Sequence, residues 1–127
     1  MRNLLIAILC IGSLIAAWVI FDHYSEKKLT SLTDQIDHPV MTDVEAKNWD
    51  KANASFASLS EDWRQYRKVL VFFRDTETVS QVDYGFAKAK YYMRVKDDSN
   101  GLGELAHLRQ QLLFLKKNEK LSLQNIL

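Results

Sequence analysis

Proline and glycine are scarce in this chain, with one Pro and four Gly in 127 residues. These residues punctuate turns and strand ends, so their scarcity argues against a fold of many short strands and for long helices. A single cysteine, Cys10, leaves no disulfide framework and no thiolate cluster. The three histidines, His23, His38 and His107, lie far apart in sequence. None has a second His or Cys three or four residues away, so no helix face offers a pair of metal ligands. Each reads as a solvated or locally bonded side chain, and no cofactor and no metal is expected.

Charge of one sign is also missing: 17 Lys and Arg face 16 Asp and Glu. From Asp22 to Asp62 there are nine acidic and four basic residues, and from Trp63 to Leu127 seven and twelve. A nucleic-acid binder carries a clear basic excess with exposed stacking aromatics, so no nucleic-acid partner is expected. The cluster Arg64, Arg67, Lys68 and Arg74 reads as the solvated side of a helix. Paired catalytic acids are lacking too. Glu61 and Asp62 are sequence neighbours on a helix and project in different directions, so they cannot flank one bond. Cys10 sits in an apolar run and cannot act as an aqueous nucleophile. Gly101-Leu102-Gly103 lacks the third glycine and the lysine of a phosphate cradle. Asp97-Asp98-Ser99-Asn100-Gly101 has the composition of a calcium loop but puts Leu102 at the sharp-turn glycine and Leu108 at the bidentate glutamate, so it reads as a helix-capping loop. No catalytic residue is assigned, and the chain is not expected to be an enzyme.

What the chain does contain is Leu4 to Phe21, LLIAILCIGSLIAAWVIF, an uncharged apolar run preceded by a tail at residues 1–3. Some 18 residues at about 1.5 Å each give a helix of roughly 27 Å, close to the thickness of a bilayer's hydrocarbon. A signal-peptide cleavage site wants small residues at its first and third upstream positions, and Ile15-Ala16-Ala17 offers Ile15 at one of them. Residues 4–21 are therefore read as an uncleaved single-pass anchor in the cell membrane. Trp18, Phe21 and Tyr24 cluster where the helix meets headgroups, as amphipathic rings do at a membrane interface. Charge gives only thin guidance on orientation, with Arg2 before the span and Lys27 and Lys28 after it. The usual arrangement places the short tail in the cytoplasm and the domain on the extracytoplasmic side. Gly12 with Ala16, and Ser13 with Ala17, put small residues four apart on the anchor, a spacing too common to predict a homo-oligomer.

Beyond the span, Leu29, Leu32 and Ile36 continue a helical stripe, and residues 22–48 read as a membrane-proximal helix with a break near Pro39. Thr42 and Glu45 have capping-box spacing, and Asn48 is an equally good N-cap, so a short helical turn precedes a long helix. That long helix carries Trp49, Ala52, Phe56, Leu59, Trp63, Tyr66, Leu70 and Phe73 on one stripe about 25 residues long, with spacing alternating between three and four. Its largely aromatic composition suits an antiparallel bundle better than a coiled-coil seam. A second stripe, Val79, Val82, Phe86, Ala89 and Met93, follows Arg74-Asp75-Thr76-Glu77, with Thr78 and Gln81 as the expected capping box. A third runs through Leu102, Leu105, Leu108, Leu112 and Leu115. The short loops require antiparallel neighbours. The fold class is all-α: a transmembrane helix followed by a small antiparallel bundle of three to four helices, in helical-hairpin pairs of the tetratricopeptide kind. The bundle domain is expected over 49–127. Its apolar tail should dock back onto the bundle, with Leu123 and Ile126 as the contacts, or insert into a partner.

The apolar span, Asn48-Trp49-Asp50-Lys51-Ala52, Trp63 followed by Arg64, and the ending Asn118-Glu119-Lys120-Leu121-Ser122-Leu123-Gln124-Asn125-Ile126-Leu127 together resemble the bacterial family called domain of unknown function 4363. The closing Glu-Lys-Leu-Ser-Leu-x-Asn-Ile pattern is the most specific part. The resemblance spans nearly the whole chain and implies a small membrane-anchored helical protein of Gram-positive, often spore-forming bacteria, with no assigned activity. It also implies a membrane-protein partner.

Two functional readings follow. The first is a non-enzymatic, membrane-tethered interaction or scaffold module of the cell envelope, with the lipid bilayer and another membrane or envelope protein as partners. Its candidate interaction or core residues are Trp49, Phe56, Trp63, Tyr66, Phe86, Leu123 and Ile126. The second is a membrane-anchored sensor domain that binds a small apolar ligand among its aromatic rings. An exposed apolar patch favours the first, and an enclosed aromatic cavity the second.

Overall fold

A computed structural model describes the backbone over residues 1–126 and the side chains over residues 1–117. Five α-helices follow one another, α1 Arg2–Gln35, α2 Thr42–Glu45, α3 Trp49–Leu70, α4 Thr76–Arg94 and α5 Asp98–Ile126, and the described residues include no strand. The all-α expectation holds. α1 is a single helix of 34 residues, about 51 Å long. Its first half is exposed from Leu4 through Ile20 apart from the half-buried Trp18, and its second half enters the core from Phe21 onward.

The membrane-proximal segment is therefore a wall of the bundle. Leu29, Leu32, Ile36, Val40 and Val44 are all fully buried. At about 1.5–3 kcal/mol for each buried aliphatic side chain, this face is a major share of the core. The expected break falls at His38-Pro39: the chain leaves α-helical geometry over Ile36–Met41, where His38 is extended (φ −144°, ψ 123°). Pro39 has no N–H to donate, and its ring disfavours helical geometry at the residue before it. The expected capping box at Thr42 does not form. The Thr42 hydroxyl instead lies 2.8 Å from His38 Nδ1 and donates to the Asp37 carbonyl, so it ties down the kink.

α3 is three residues shorter than its stripe, which ends with Phe73 in the turn beyond Leu70. The second stripe is buried at every position, but the N-cap of α4 is Asp75 and not Thr78. The Asp75 carboxylate accepts hydrogen bonds from the Thr78 amide and from the Thr78 hydroxyl at 2.6 Å, which uses Thr78 as a donor and starts the helix earlier. Asp97 caps α5 in the same way, accepting from the Asn100 amide at 3.1 Å and its side-chain amide at 2.7 Å. Those hydrogen bonds hold both carboxyls below the usual aspartate range.

Four helices close into a ring. α1 meets α3 where the Ser25 and Tyr66 hydroxyls share a buried hydrogen bond. Trp63 of α3 stacks on Phe86 of α4, with ring centroids 5.7 Å apart. α4 packs on α5 at Gly85, where an added Cβ would lie 3.0 Å from Gln111 Oε1 and 3.1 Å from Leu108 Cδ1. α5 returns to α1 through Lys116 and Thr30 at 2.9 Å, and to the kinked segment that follows α1 through Arg109 and Asp37 at 2.9 Å. From Arg109 to Lys116 α5 advances seven residues while its partners go back seven, from Asp37 to Thr30, the signature of antiparallel neighbours. α5 then continues as a helix through Ile126, and the docking contacts expected of Leu123 and Ile126 lie outside the described side chains.

Gly85 and the two caps each give a measurable expectation. In detergent-solubilised full-length protein, Gly85→Ala should be near neutral, because its gain of about 1 kcal/mol in helix propensity offsets small shifts of the flexible Gln111 tip and of the buried Leu108 methyl. Gly85→Leu should lower stability by about 1–3 kcal/mol or more, read by thermal or denaturant unfolding. For Asp75 and Asp97 the folded carboxyl titrates below the unfolded one, so their stabilisation is present above the unfolded value and is lost as pH falls through the folded value. Circular-dichroism melts from pH 5 down to pH 3 should show that loss, and the double variant Asp75→Asn with Asp97→Asn should lose less over the same window.

Candidate functional site

The aromatic residues of the sequence reading separate into two groups. Phe56, Trp63, Tyr66 and Phe86 are all buried and pack on one another: Phe56 lies 5.8 Å from Phe86, and Trp63 lies 6.0 Å from Tyr66. Trp49 is half-buried against the same core. The Trp63 indole N–H donates to Asp83 at 2.8 Å, and Arg67 pairs with the same carboxylate at 2.9 Å, which satisfies the polar edge of the cluster. These rings form the core itself. Beside them, between α3 and α4, runs an open groove of about 410 Å³ with Phe56 and Phe86 in its floor and Glu61, Arg64 and Lys90 on its rim. Gln65 and Arg64 both donate to Glu61, and the Gln65 bond first, then Arg64, hold its carboxyl below the ordinary range.

The second group marks the membrane-proximal end. Phe21 is buried and stacks on Phe73 at 3.8 Å, and Trp18 lies 5.5 Å from Phe73 and 6.4 Å from Phe21. Tyr24 lies 6.2 Å from Tyr66. The trio expected to face headgroups therefore also fastens α1 to the α3–α4 hairpin, and Phe21 turns wholly inward. The helical period accounts for this: Phe21, Ser25, Leu29, Leu32 and Ile36 form one stripe, so the bundle-facing side of α1 begins inside the apolar run.

The basic cluster is not uniformly solvated. Arg64 engages Glu61, Arg67 engages Asp83, and Arg74 donates to the Leu115 carbonyl at 3.2 Å. Asp62 accepts from Gln35 at 2.8 Å, pointing away from Glu61's partners. His38 bonds locally to Thr42, and His107 lies 3.9 Å from Glu104. Among the described residues no three His, Cys, Asp or Glu side chains converge as a metal site.

Periodicity did not point to the exposed aromatic residues. On α4 the side opposite the buried stripe presents Tyr84, Tyr91 and Val95, 68%, 52% and 50% exposed, with Arg94 over the Tyr91 ring. The seven-residue spacing of Tyr84 and Tyr91 was the available signal, since it places both on one line along the helix. At the other end of α4, Val71 and Phe72 protrude from the turn, Phe72 at 84% exposure.

The family model described as Domain of unknown function (DUF4363) matches residues 19–126. The chain belongs to that family. The DUF4363 match takes in the bundle-facing half of α1 together with α2 to α5, so the family's defining region includes the wall that α1 contributes to the bundle. No curated protein and no solved structure matches the chain. One helix of this DUF4363 chain is long and apolar enough to cross a membrane.

The Phe21–Phe73 contact carries a direct expectation. Phe21→Ala removes a buried ring at the junction and should destabilise the bundle by about 3–5 kcal/mol. The protein should still fractionate with membranes, since Leu4 to Ile20 is untouched. Hydrogen exchange in detergent should show faster exchange at amides 22–33, with amides 5–15 unchanged.

Proposed function

We propose that this chain is a non-enzymatic, single-pass membrane protein of the bacterial cell envelope whose helical bundle docks a second envelope protein. The tail before the span is cytoplasmic and the bundle extracytoplasmic. The observation that carries this reading is the continuity of α1: the span and the first wall of the bundle are one helix, with exposed apolar residues giving way to core residues at Phe21. No linker intervenes, so the bundle stands at one height and rotation relative to the bilayer. A tethered binding module benefits from that restriction, because fixing the face in advance lowers the entropy lost on docking.

The outer face of α4 is the binding face in this reading. Tyr84 and Tyr91 give large amphipathic contact area at low side-chain entropy cost, the property that enriches tyrosine at interfaces. The alternative, an apolar ligand held among Phe56, Trp63, Tyr66, Tyr92 and Phe86, draws no support from packing in which Phe56, Trp63, Tyr66 and Phe86 fill the space against one another.

Photo-crosslinking in native membranes tests the module. With benzoylphenylalanine in place of Tyr84 or Tyr91, both positions should yield an adduct with the same envelope protein, and Lys51 on the exposed side of α3 should yield none. Absence of any adduct at both tyrosine positions would sink the reading.

A further inference from the structure

The turn between α3 and α4 is the most apolar exposed loop of the bundle. Val71 and Phe72 protrude there at 43% and 84% exposure among the described residues. Its location is set by the next residue. Phe73 stacks on Phe21 at 3.8 Å and approaches Trp18 at 5.5 Å, and both belong to the last turns of the apolar run Leu4 to Phe21. α3 runs toward that end of α1 and α4 runs away from it, so the hairpin's apex points along the span.

From this placement we infer that Val71 and Phe72 insert into the acyl–headgroup boundary of the bilayer that α1 crosses, giving the bundle a second membrane contact. The inference rests on α1 being a membrane span. Lipid is the occupant because the patch is continuous, through Phe73 and Trp18, with the exposed apolar surface of the span. The backbone of the turn is prepared for a poorly hydrated site. The amide of Val71 donates to Arg67, that of Phe72 to Val69, and those of Phe73 and Arg74 to Leu70, at 2.9–3.1 Å. The two N–H groups of the tip thus enter without giving up a water partner, the requirement that usually keeps turns out of lipid, and those of the two residues after it are satisfied as well. Asp75 and Glu77 follow at once and set the depth: carboxylates stay in water, so only the two-residue tip inserts. An exposed aromatic of this kind is suited to the interface zone, as in interfacial amphipathic segments.

Depth-resolved quenching of the full-length protein tests this in vesicles of phosphatidylcholine and phosphatidylglycerol. A bimane label is placed on native Cys10, or, in a Cys10→Ala background, on Val71→Cys, Phe72→Cys or Asn100→Cys, with circular dichroism confirming the fold of each. Labels at positions 71 and 72 should lose most of their emission to a lipid nitroxide near the top of the acyl chain and be shielded from aqueous iodide. The label at position 100, at the opposite end of α4, should show the reverse. If Cys10 is quenched by a nitroxide deep in the acyl chain while positions 71 and 72 respond to iodide as position 100 does, the inference is overturned and the span stands. If no lipid nitroxide quenches Cys10, the span and the inference fall together.

Discussion

The organisation of this protein depends on a single uninterrupted helix that changes environment part-way along its length. Up to Ile20 the apolar side chains of α1 are exposed; from Phe21 one side of it packs against α3 and α5. A helix is stiff over several turns, so the direction of the bundle is tied to that of the exposed apolar half of α1. The stack of Phe21 on Phe73 is where the two environments meet, because it joins the last apolar turn of α1 to the apex of the α3–α4 hairpin. Remove that junction, and the contacts that hold α1 begin farther along it, with Ser25 on Tyr66, Thr30 on Lys116 and Gln35 on Asp62.

Polar groups at the seams of the bundle are arranged to suit this geometry. Asp83 receives both the Trp63 indole and Arg67, so one carboxylate satisfies two donors at the α3–α4 seam. Arg109 and Lys116 hold the α1–α5 seam at its half-buried margins. Exposed ion pairs contribute little individually. Their value is in fixing which turn of α5 lies against which turn of α1, a choice that the repeated leucines of α5 leave nearly degenerate.

Much of the fold was legible because burial imposes a period. Of the three stripes, Ala52 to Leu70, Val79 to Met93 and Leu105 to Leu115 are buried at every named position, the end residues Trp49, Phe73 and Leu102 are half-buried, and the Pro39 break falls where the missing N–H requires it. Helix ends were less legible. The cap of α4 is Asp75 rather than Thr78, since both Asp-x-x-Thr and Thr-x-x-Gln satisfy the spacing and only the three-dimensional turn chooses between them. The breaks near Asn48 and Asp97 were legible from their capping residues, but the terminating residues Lys47 and Lys96 were not, because they take φ of 56° and 60° where glycine is the usual choice. The candidate site was the least legible part. Tyr84, Tyr91 and Phe72 lie off the buried stripes, and a residue that faces solvent obeys no core period, so the seven-residue spacing of the two tyrosines aligns them without marking them as a site.

The ring of helices closes between its first and last members. Asp37 waits for Arg109 and Thr30 for Lys116, separations of 72 and 86 residues. During synthesis α1 emerges first, and the side of it that carries Leu29, Leu32 and Ile36 lacks its α5 wall until nearly the whole chain has been made. Long-range closure of this kind is slow compared with local helix formation. The growing bundle therefore keeps an apolar seam open along α1 until α5 is complete, and the wall made first is the last to be covered.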